Sequence, residues 1–208
     1  MTRIGLIDYG MGNLHSVQRA FERLGAEVTT VHSPDAMASC AALVLPGVGA
    51  FDPAMERLQA SGLVPAIQEW CAAGRPLLGI CLGLQLLFEA SDEGSARGLG
   101  LIRGRVTALP RSPGHPIPHM GWAPLLPASP SPLLPAGTPT AWVYFVHSYA
   151  AVPSDPACIT AQVAFGDVAV TAALWQGAVA ACQFHPEKSS LAGQQMLQRW
   201  LNWVAKPS

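Results

Sequence analysis

The feature that most restricts the fold of this chain is an alternation in its first ninety residues. Short apolar runs at residues 4–7, 28–31, 42–45 and 76–80 are separated by segments of a different rhythm. An apolar run of this length, bounded by turn residues, reads as a strand buried on both faces. Between the first two runs, Leu14, Val17, Phe21 and Leu24 recur every three or four positions, which is one face of a helix. Asn13 can cap that helix and Gly25 can end it. Asp52 followed by Pro53 marks a second helix start. A third helix runs over 65–73 and stops at Gly74, and a fourth over 82–90 begins directly after the strand at 76–80. Strands alternating with helices imply an α/β fold with a mostly parallel central sheet covered on both faces.

The second half reads differently. Residues 102–109, 142–149, 159–165, 168–175 and 178–184 are strand-like, with few helical patterns between them. They are expected as antiparallel additions to the sheet edge. Residues 124–139, PLLPASPSPLLPAGTP, carry too much proline for strand or helix and are expected as an extended surface loop. A helix over 191–204 closes the chain. No internal repeat divides it, and residues 1–208 are expected to form one domain.

Charge and cysteine usage narrow the partners. Twelve Lys and Arg against thirteen Asp and Glu leave a net charge of −1, with no basic block. A nucleic-acid footprint is therefore missing. Charged residues make up 12% of the chain, about half the usual share of ~25%. Either another subunit covers part of the surface, or the composition is simply biased towards Ala, Gly, Pro and Arg. No stretch approaches the roughly 18 apolar residues of a membrane span, and the start MTRIGLIDYG lacks the pattern of a signal peptide. The five cysteines Cys40, Cys71, Cys81, Cys158 and Cys182 include no CxxC pair. That pattern points to a reducing cytoplasm, with neither a disulfide framework nor a metal site.

One cysteine has a chemical setting. Gly79-Ile80-Cys81-Leu82-Gly83 has the form GxCxG where a buried strand turns into a helix. This is the nucleophile-elbow pattern with sulfur in place of oxygen. The turn is tight, so a Cβ at either glycine would collide with backbone. The sulfur also lies near a helix N-terminus, which favours thiolate. A proton acceptor is available in Phe184-His185-Pro186-Glu187, at the end of another apolar strand. Glu187 can orient the His185 ring and stabilise its charged form. The backbone amide of Leu82 is one expected oxyanion donor. A second is expected from the loop Pro46-Gly47-Val48-Gly49, whose glycines allow close approach to a ligand.

These motifs resemble those of the class I (triad) glutamine amidotransferases over essentially the whole chain. GICLGLQ is similar to the family's nucleophile motif and FHPE to its His-Glu pair. The resemblance implies a flavodoxin-like α/β fold. It implies that Cys81 attacks the side-chain amide of glutamine, with His185 as proton shuttle and Glu187 orienting it. It implies that Gln85 and the backbone of Ser148 and Tyr149 hold the substrate. No cofactor is implied.

Within the family, DYGMGNL, PGVGAF, PHMGW, YFVHSY and FHPEKSS resemble, in order, segments of the glutaminase subunits of imidazole glycerol phosphate synthases. Leu84 stands after GxCxG where many other members carry His, which favours this branch. The branch implies a heterodimer with a cyclase subunit built as a (β/α)₈ barrel, to which ammonia passes for histidine biosynthesis. Asn13, Pro118, Met120, Trp122, Tyr144 and Lys188 are similar in position to the contact surface with that barrel. His15 and Ala123 depart from the usual pattern. The competing readings are a glutaminase serving another synthase, a free-standing cysteine hydrolase, and a non-catalytic binding subunit.

Overall fold

The structure, a computed structural model, describes residues 2–206. Each apolar run of the first half is a strand: β1 (Arg3–Ile7), β2 (Glu27–Val31), β3 (Ala42–Gly47) and β4 (Leu77–Cys81). The intervening helices are α1 (Leu14–Arg23), α2 (Pro34–Met37), α3 (Phe51–Ala60) and α4 (Leu63–Ala72). Asn13 caps α1, its side-chain oxygen accepting from the Ser16 amide at 3.3 Å. The chain continues through α5 (Leu82–Leu86), β5 (Ala90–Ser91), β6 (Gly104–Ala108), β7 (His119–Pro124), β8 (Leu126–Pro127) and β9 (Trp142–His147). It ends with β10 (Tyr149–Pro153), β11 (Ile159–Phe165), β12 (Val168–Gln176), β13 (Val179–Cys182) and α6 (Ser190–Val204). Among the described residues, no helix is long and apolar enough to cross a membrane.

The central sheet has the order β2-β1-β3-β4-β13-β12-β11-β8. Its first five strands are parallel, and the last three attach antiparallel. Alternation along β3 shows how both faces are buried. Leu43 and Leu45 join the core beneath α3, α4 and α5, whereas Ala42 and Val44 join the one beneath α1 and α6. On the latter side Phe21 meets Trp200 edge-on, ring centroids 5.7 Å apart. Since β1, β3, β4 and β13 run parallel, their carboxyl ends share one rim. Segment 8–13, Gly47, Cys81 and His185 follow from those ends.

Four sequence expectations need correction. Helix α5 ends at Leu86 rather than at 90. The carbonyls that would continue it are taken by a returning loop, with the amides of Leu99, Leu101 and Gly100 bonded to Leu86, Leu87 and Phe88 at 2.8, 2.8 and 3.2 Å. Helix α3 begins at Phe51, whose amide is bonded by the Glu93 carboxylate at 2.8 Å. Asp52 instead accepts from the amides of Ser95 and Ala96. The proline-rich stretch is partly structured: Leu125, Leu133 and Leu134 are buried, and β8 pairs with β11.

The fourth correction concerns the second-half strands. Of the five runs expected as antiparallel edge additions, only those forming β11, β12 and β13 join the central sheet, and β13 does so in its interior, parallel to β4. The run at 142–149 is broken between His147 and Tyr149: β9 pairs with β7, while β10 pairs with β6. The Ser148 carbonyl at the break accepts from the Leu109 amide at 2.9 Å, so the chain changes sheet there without stranding a polar group.

The elbow depends on two absent side chains. A Cβ on Gly83 would lie 1.8 Å from the Leu45 carbonyl oxygen, and one on Gly79 would lie 2.9 Å from the Gly83 carbonyl oxygen. Backbone on both sides leaves no flexible atom to yield. Gly83→Ala is expected to cost about 1–3 kcal/mol or more, as overpacking does, lowering the melting temperature by roughly 2–12 °C at this chain length. A thermal melt of the variant at wild-type stability would contradict this packing.

Candidate active site

Cys81 is the last residue of β4 and the cap of α5, at φ 55° and ψ −111°. A positive φ at a residue with a Cβ stores strain of about 1–3 kcal/mol, and here it turns the sulfur towards the rim. Cys81 is 6% exposed and its Sγ lies 3.9 Å from the Val146 carbonyl oxygen. His185 follows β13, the strand beside β4, and its amide bonds the Tyr144 carbonyl at 3.0 Å. Ser189 braces the same residue, its hydroxyl donating to the His185 carbonyl at 2.6 Å.

The imidazole is held by its carboxylate. His185 Nδ1 lies 2.8 Å from Glu187 Oε1, and both side chains are almost wholly buried. A carboxylate only accepts, so Nδ1 carries the proton of that bond. Among the described residues Nε2 has no hydrogen-bond partner, but the ring feels the Cys81 sulfur. Burial works against a charged ring, and the sulfur and the Glu187 carboxylate together outweigh it, raising His185 to about 9. Sequence positions 81, 185 and 187 are thus brought together at one strand-end rim.

A cleft of about 300 Å³ opens above the sulfur, lined by Val48, Gly49, Cys81, Leu82, Gln85, Glu93, Pro118, Val146, His147, Ser148, Tyr149 and His185. Val48 and Gly49 are exposed on one side, with Gly49 at φ +100°. Gly47 is set back from the cleft, and its lack of a side chain lets the Tyr9 hydroxyl and Leu82 pack against it. Tyr9 donates to the Pro46 carbonyl at 2.9 Å, anchoring the strand just before this loop. Gln85 lies on the opposite wall, its amide nitrogen donating to the Tyr149 carbonyl and to Gln183 Oε1, both at 3.1 Å.

Three residues around the cleft had no expected role. Among the described residues, Glu93 is the only carboxylate lining it; nothing in the sequence singled it out, because it arrives from a loop. His147 donates through Nδ1 to the Tyr149 carbonyl at 2.8 Å, leaving Nε2 to accept from His119 Nδ1 at 3.3 Å. Burial holds His147 down to about 4, so it stays neutral at physiological pH. It lies inside the YFVHSY segment, a signal that was available. Gln183 stands two residues before His185, fully buried beside the sulfur. Among the described residues, no three His, Cys, Asp or Glu side chains are grouped to hold a metal ion.

Beside the cleft lies an apolar surface. In the two-stranded sheet β7–β9, Trp122 stands opposite Tyr144 and Met120 opposite Val146. The Trp122 and Tyr144 rings meet edge-on, centroids 6.0 Å apart. Met120 is 62% exposed, Trp122 48% and Trp142 55%. Ile117 and Pro118 extend this surface to the cleft, and the exposed Lys188 follows Glu187 directly. Asn13 is exposed at the start of α1. Ile117 and Trp142 are additions that sequence reasoning missed.

The chain belongs to the class-I glutamine amidotransferase family, whose model matches residues 5–203. Among its relatives it is 61% identical over 201 residues to the imidazole glycerol phosphate synthase subunit HisH of Synechococcus sp. (strain CC9605), covering 97% of this chain and 94% of that one. It is 59% identical over 210 residues to the subunit named HisH 2 of Prochlorococcus marinus (strain MIT 9313), covering 100% and 99%. Solved structures share the fold at low identity. One titled as a glutamine amidotransferase superposes with a TM-score of 0.76 at 18% identity, covering 98% of this chain and 99% of that one. PurLQS from Thermotoga maritima gives 0.75 at 21%, with the same coverage.

The His185 value has a consequence for pH dependence. Its pKa is raised, so the imidazolium persists through neutral pH and is lost as pH rises through about 9. Glutamine turnover is expected to fall over that range as the proton donor disappears. In Glu187→Gln the supporting charge is gone, and the falling limb moves to lower pH. A pH–rate profile with the limb unmoved would refute the pairing.

Proposed function

We propose that this chain is the glutaminase subunit of an imidazole glycerol phosphate synthase, hydrolysing L-glutamine to glutamate and ammonia. The observation that carries the reading is the meeting of the Cys81 sulfur and the His185 ring in one cleft, with the Glu187 carboxylate buried against that ring and an exposed aromatic sheet alongside. In this reading the Cys81 sulfur attacks the side-chain amide carbon of glutamine. The oxyanion takes hydrogen bonds from the Leu82 amide and from the Val48–Gly49 segment. His185 gives its proton to the amine nitrogen, the C–N bond breaks, and ammonia leaves behind a glutamyl thioester. His185 then takes a proton from water, hydroxide adds to the thioester, and the C–S bond breaks to release glutamate. Gln85, Ser148 and Tyr149 form the wall against the amino-acid end of the substrate, and Glu93 places a negative charge where an α-ammonium group can meet it.

Ammonia released into water is protonated and lost as a nucleophile, so a glutaminase of this kind needs an acceptor close by. The exposed face of Met120, Trp122, Trp142 and Tyr144 is large, apolar and contiguous with the cleft, as an interface core is. We assign it, with Asn13, Pro118 and Lys188, to a heterodimer contact with a cyclase subunit built as a (β/α)₈ barrel, which receives the ammonia for histidine biosynthesis. Its small charged fraction accords with a partner-covered surface. A reducing cytoplasm suits five free cysteines.

Cys81→Ala is expected to lower glutamine-dependent turnover of the complex by at least about a thousandfold while ammonia-dependent cyclisation continues. Equal loss of both, measured side by side, would defeat the division of labour. Trp122→Ala is expected to raise the dissociation constant for the cyclase at least roughly tenfold, as an aromatic anchor does, with the melting temperature little changed. Titration calorimetry showing wild-type affinity would remove this sheet from the interface.

A further inference from the structure

Gln183 has no assigned part in the chemistry described above, yet its side chain touches the reacting atom. It is fully buried, and its Nε2 lies 3.9 Å from Cys81 Sγ. The orientation of its carboxamide is dictated by neighbours. The Tyr149 carbonyl can only accept, so the Gln85 atom beside it is the amide nitrogen, and that nitrogen also reaches the Gln183 side chain at 3.1 Å. The Gln183 atom there is therefore the oxygen, which leaves its NH₂ group aimed at the sulfur. The Tyr149 carbonyl is itself held by His147 at 2.8 Å. The chain of bonds starts at a backbone carbonyl and ends at the nucleophile.

We infer that Gln183 is a catalytic residue that stabilises the negative charge of the Cys81 sulfur through an N–H···S hydrogen bond. The inference rests on the glutaminase reading for its purpose, though its geometry is independent of it. Two features make such a donor useful. The helix after Cys81 has five residues, so its dipole is short. His185, the charged partner of the sulfur, must exchange its proton twice per turnover. When the thioester C–S bond breaks, the electron pair returns to sulfur, and an amide donor is present whatever the ring then carries. Other groups near the sulfur are not free for this. Tyr9 spends its hydroxyl on the Pro46 carbonyl, and Cys182 is a fully buried thiol that burial pushes well up. Glu187 acts through His185. A buried amide lacking this purpose would be a costly choice beside a reactive sulfur.

The test is alkylation of Cys81 by iodoacetamide in the isolated chain, followed site by site by peptide mass spectrometry with Cys71 as internal reference. Gln183→Met is expected to slow alkylation of Cys81 at pH 7 by roughly tenfold, the worth of one hydrogen bond to a charged group. The deficit should close as pH approaches about 10, where thiols ionise unaided. Gln183→Glu, which keeps the shape but replaces the donor with an acceptor, should slow it further. Gln85→Met, which leaves Gln183 in place but frees its amide to turn, should give a smaller deficit and reads the same interaction if the Gln183→Met chain does not fold. Wild-type alkylation rates in a folded variant at pH 7, or a deficit that persists at pH 10, would overturn the inference. Failure of the glutaminase reading looks different: glutamine untouched in the presence of the cyclase while the alkylation pattern holds.

Discussion

The site depends on one close approach of backbone to backbone, where the turn after β4 presses against the end of β3. Gly83 lies so near the Leu45 carbonyl that no side chain fits, and Gly79 packs, less tightly, against the backbone of Gly83. That contact bends the chain sharply enough to hold Cys81 in a positive-φ conformation, and the strain is borne by a fully buried central strand. Without it the sulfur would lie along the strand, sealed among the apolar residues of β3 and β13. With it, the sulfur stands at the rim where every parallel strand ends, and the His185 and Glu187 side chains arrive there from the neighbouring strand.

Around this elbow the polar groups are organised in two separate chains. One is ionic, from Glu187 to His185 to the sulfur, and carries the proton in the proposed reaction. The other is neutral, from His119 to His147 to the Tyr149 carbonyl, then through Gln85 and Gln183 to the same sulfur. Separating them is physically sensible. A charged second chain would compete with Glu187 for the imidazolium, whereas amides and a neutral histidine fix geometry without changing charge as the reaction proceeds. The burial that holds His147 to about 4 keeps that second chain neutral.

The small sheets do a different task. By passing at Ser148 from one small sheet to another, the chain keeps β7 and β9 as a separate pair beside the cleft, with one face on the core and the other bare. Phe145 and Val143 point inward while Trp122, Tyr144 and Met120 point out, which is the period-two alternation of a strand with apolar residues on both faces. A face of this kind on a chain so poor in charge reads as incomplete until something covers it. In the proposed complex, its continuity with the cleft ties the chemistry to the docked subunit.

Residue order alone determined the central architecture, because buried parallel strands and amphipathic helices have different apolar periods. It also marked Cys81, His185 and Glu187, because a strained elbow needs its flanking glycines and a carboxylate two positions from a histidine can reach its ring. Tertiary structure alone decided what depends on long-range hydrogen bonds: the early end of α5, the break of the 142–149 run into two sheets, and the set-back place of Gly47. It alone brought Glu93 and Gln183 to the site. Those residues carry no local pattern, since a carboxylate from a loop or a glutamine on a strand end acquires meaning only from the groups that folding sets against it.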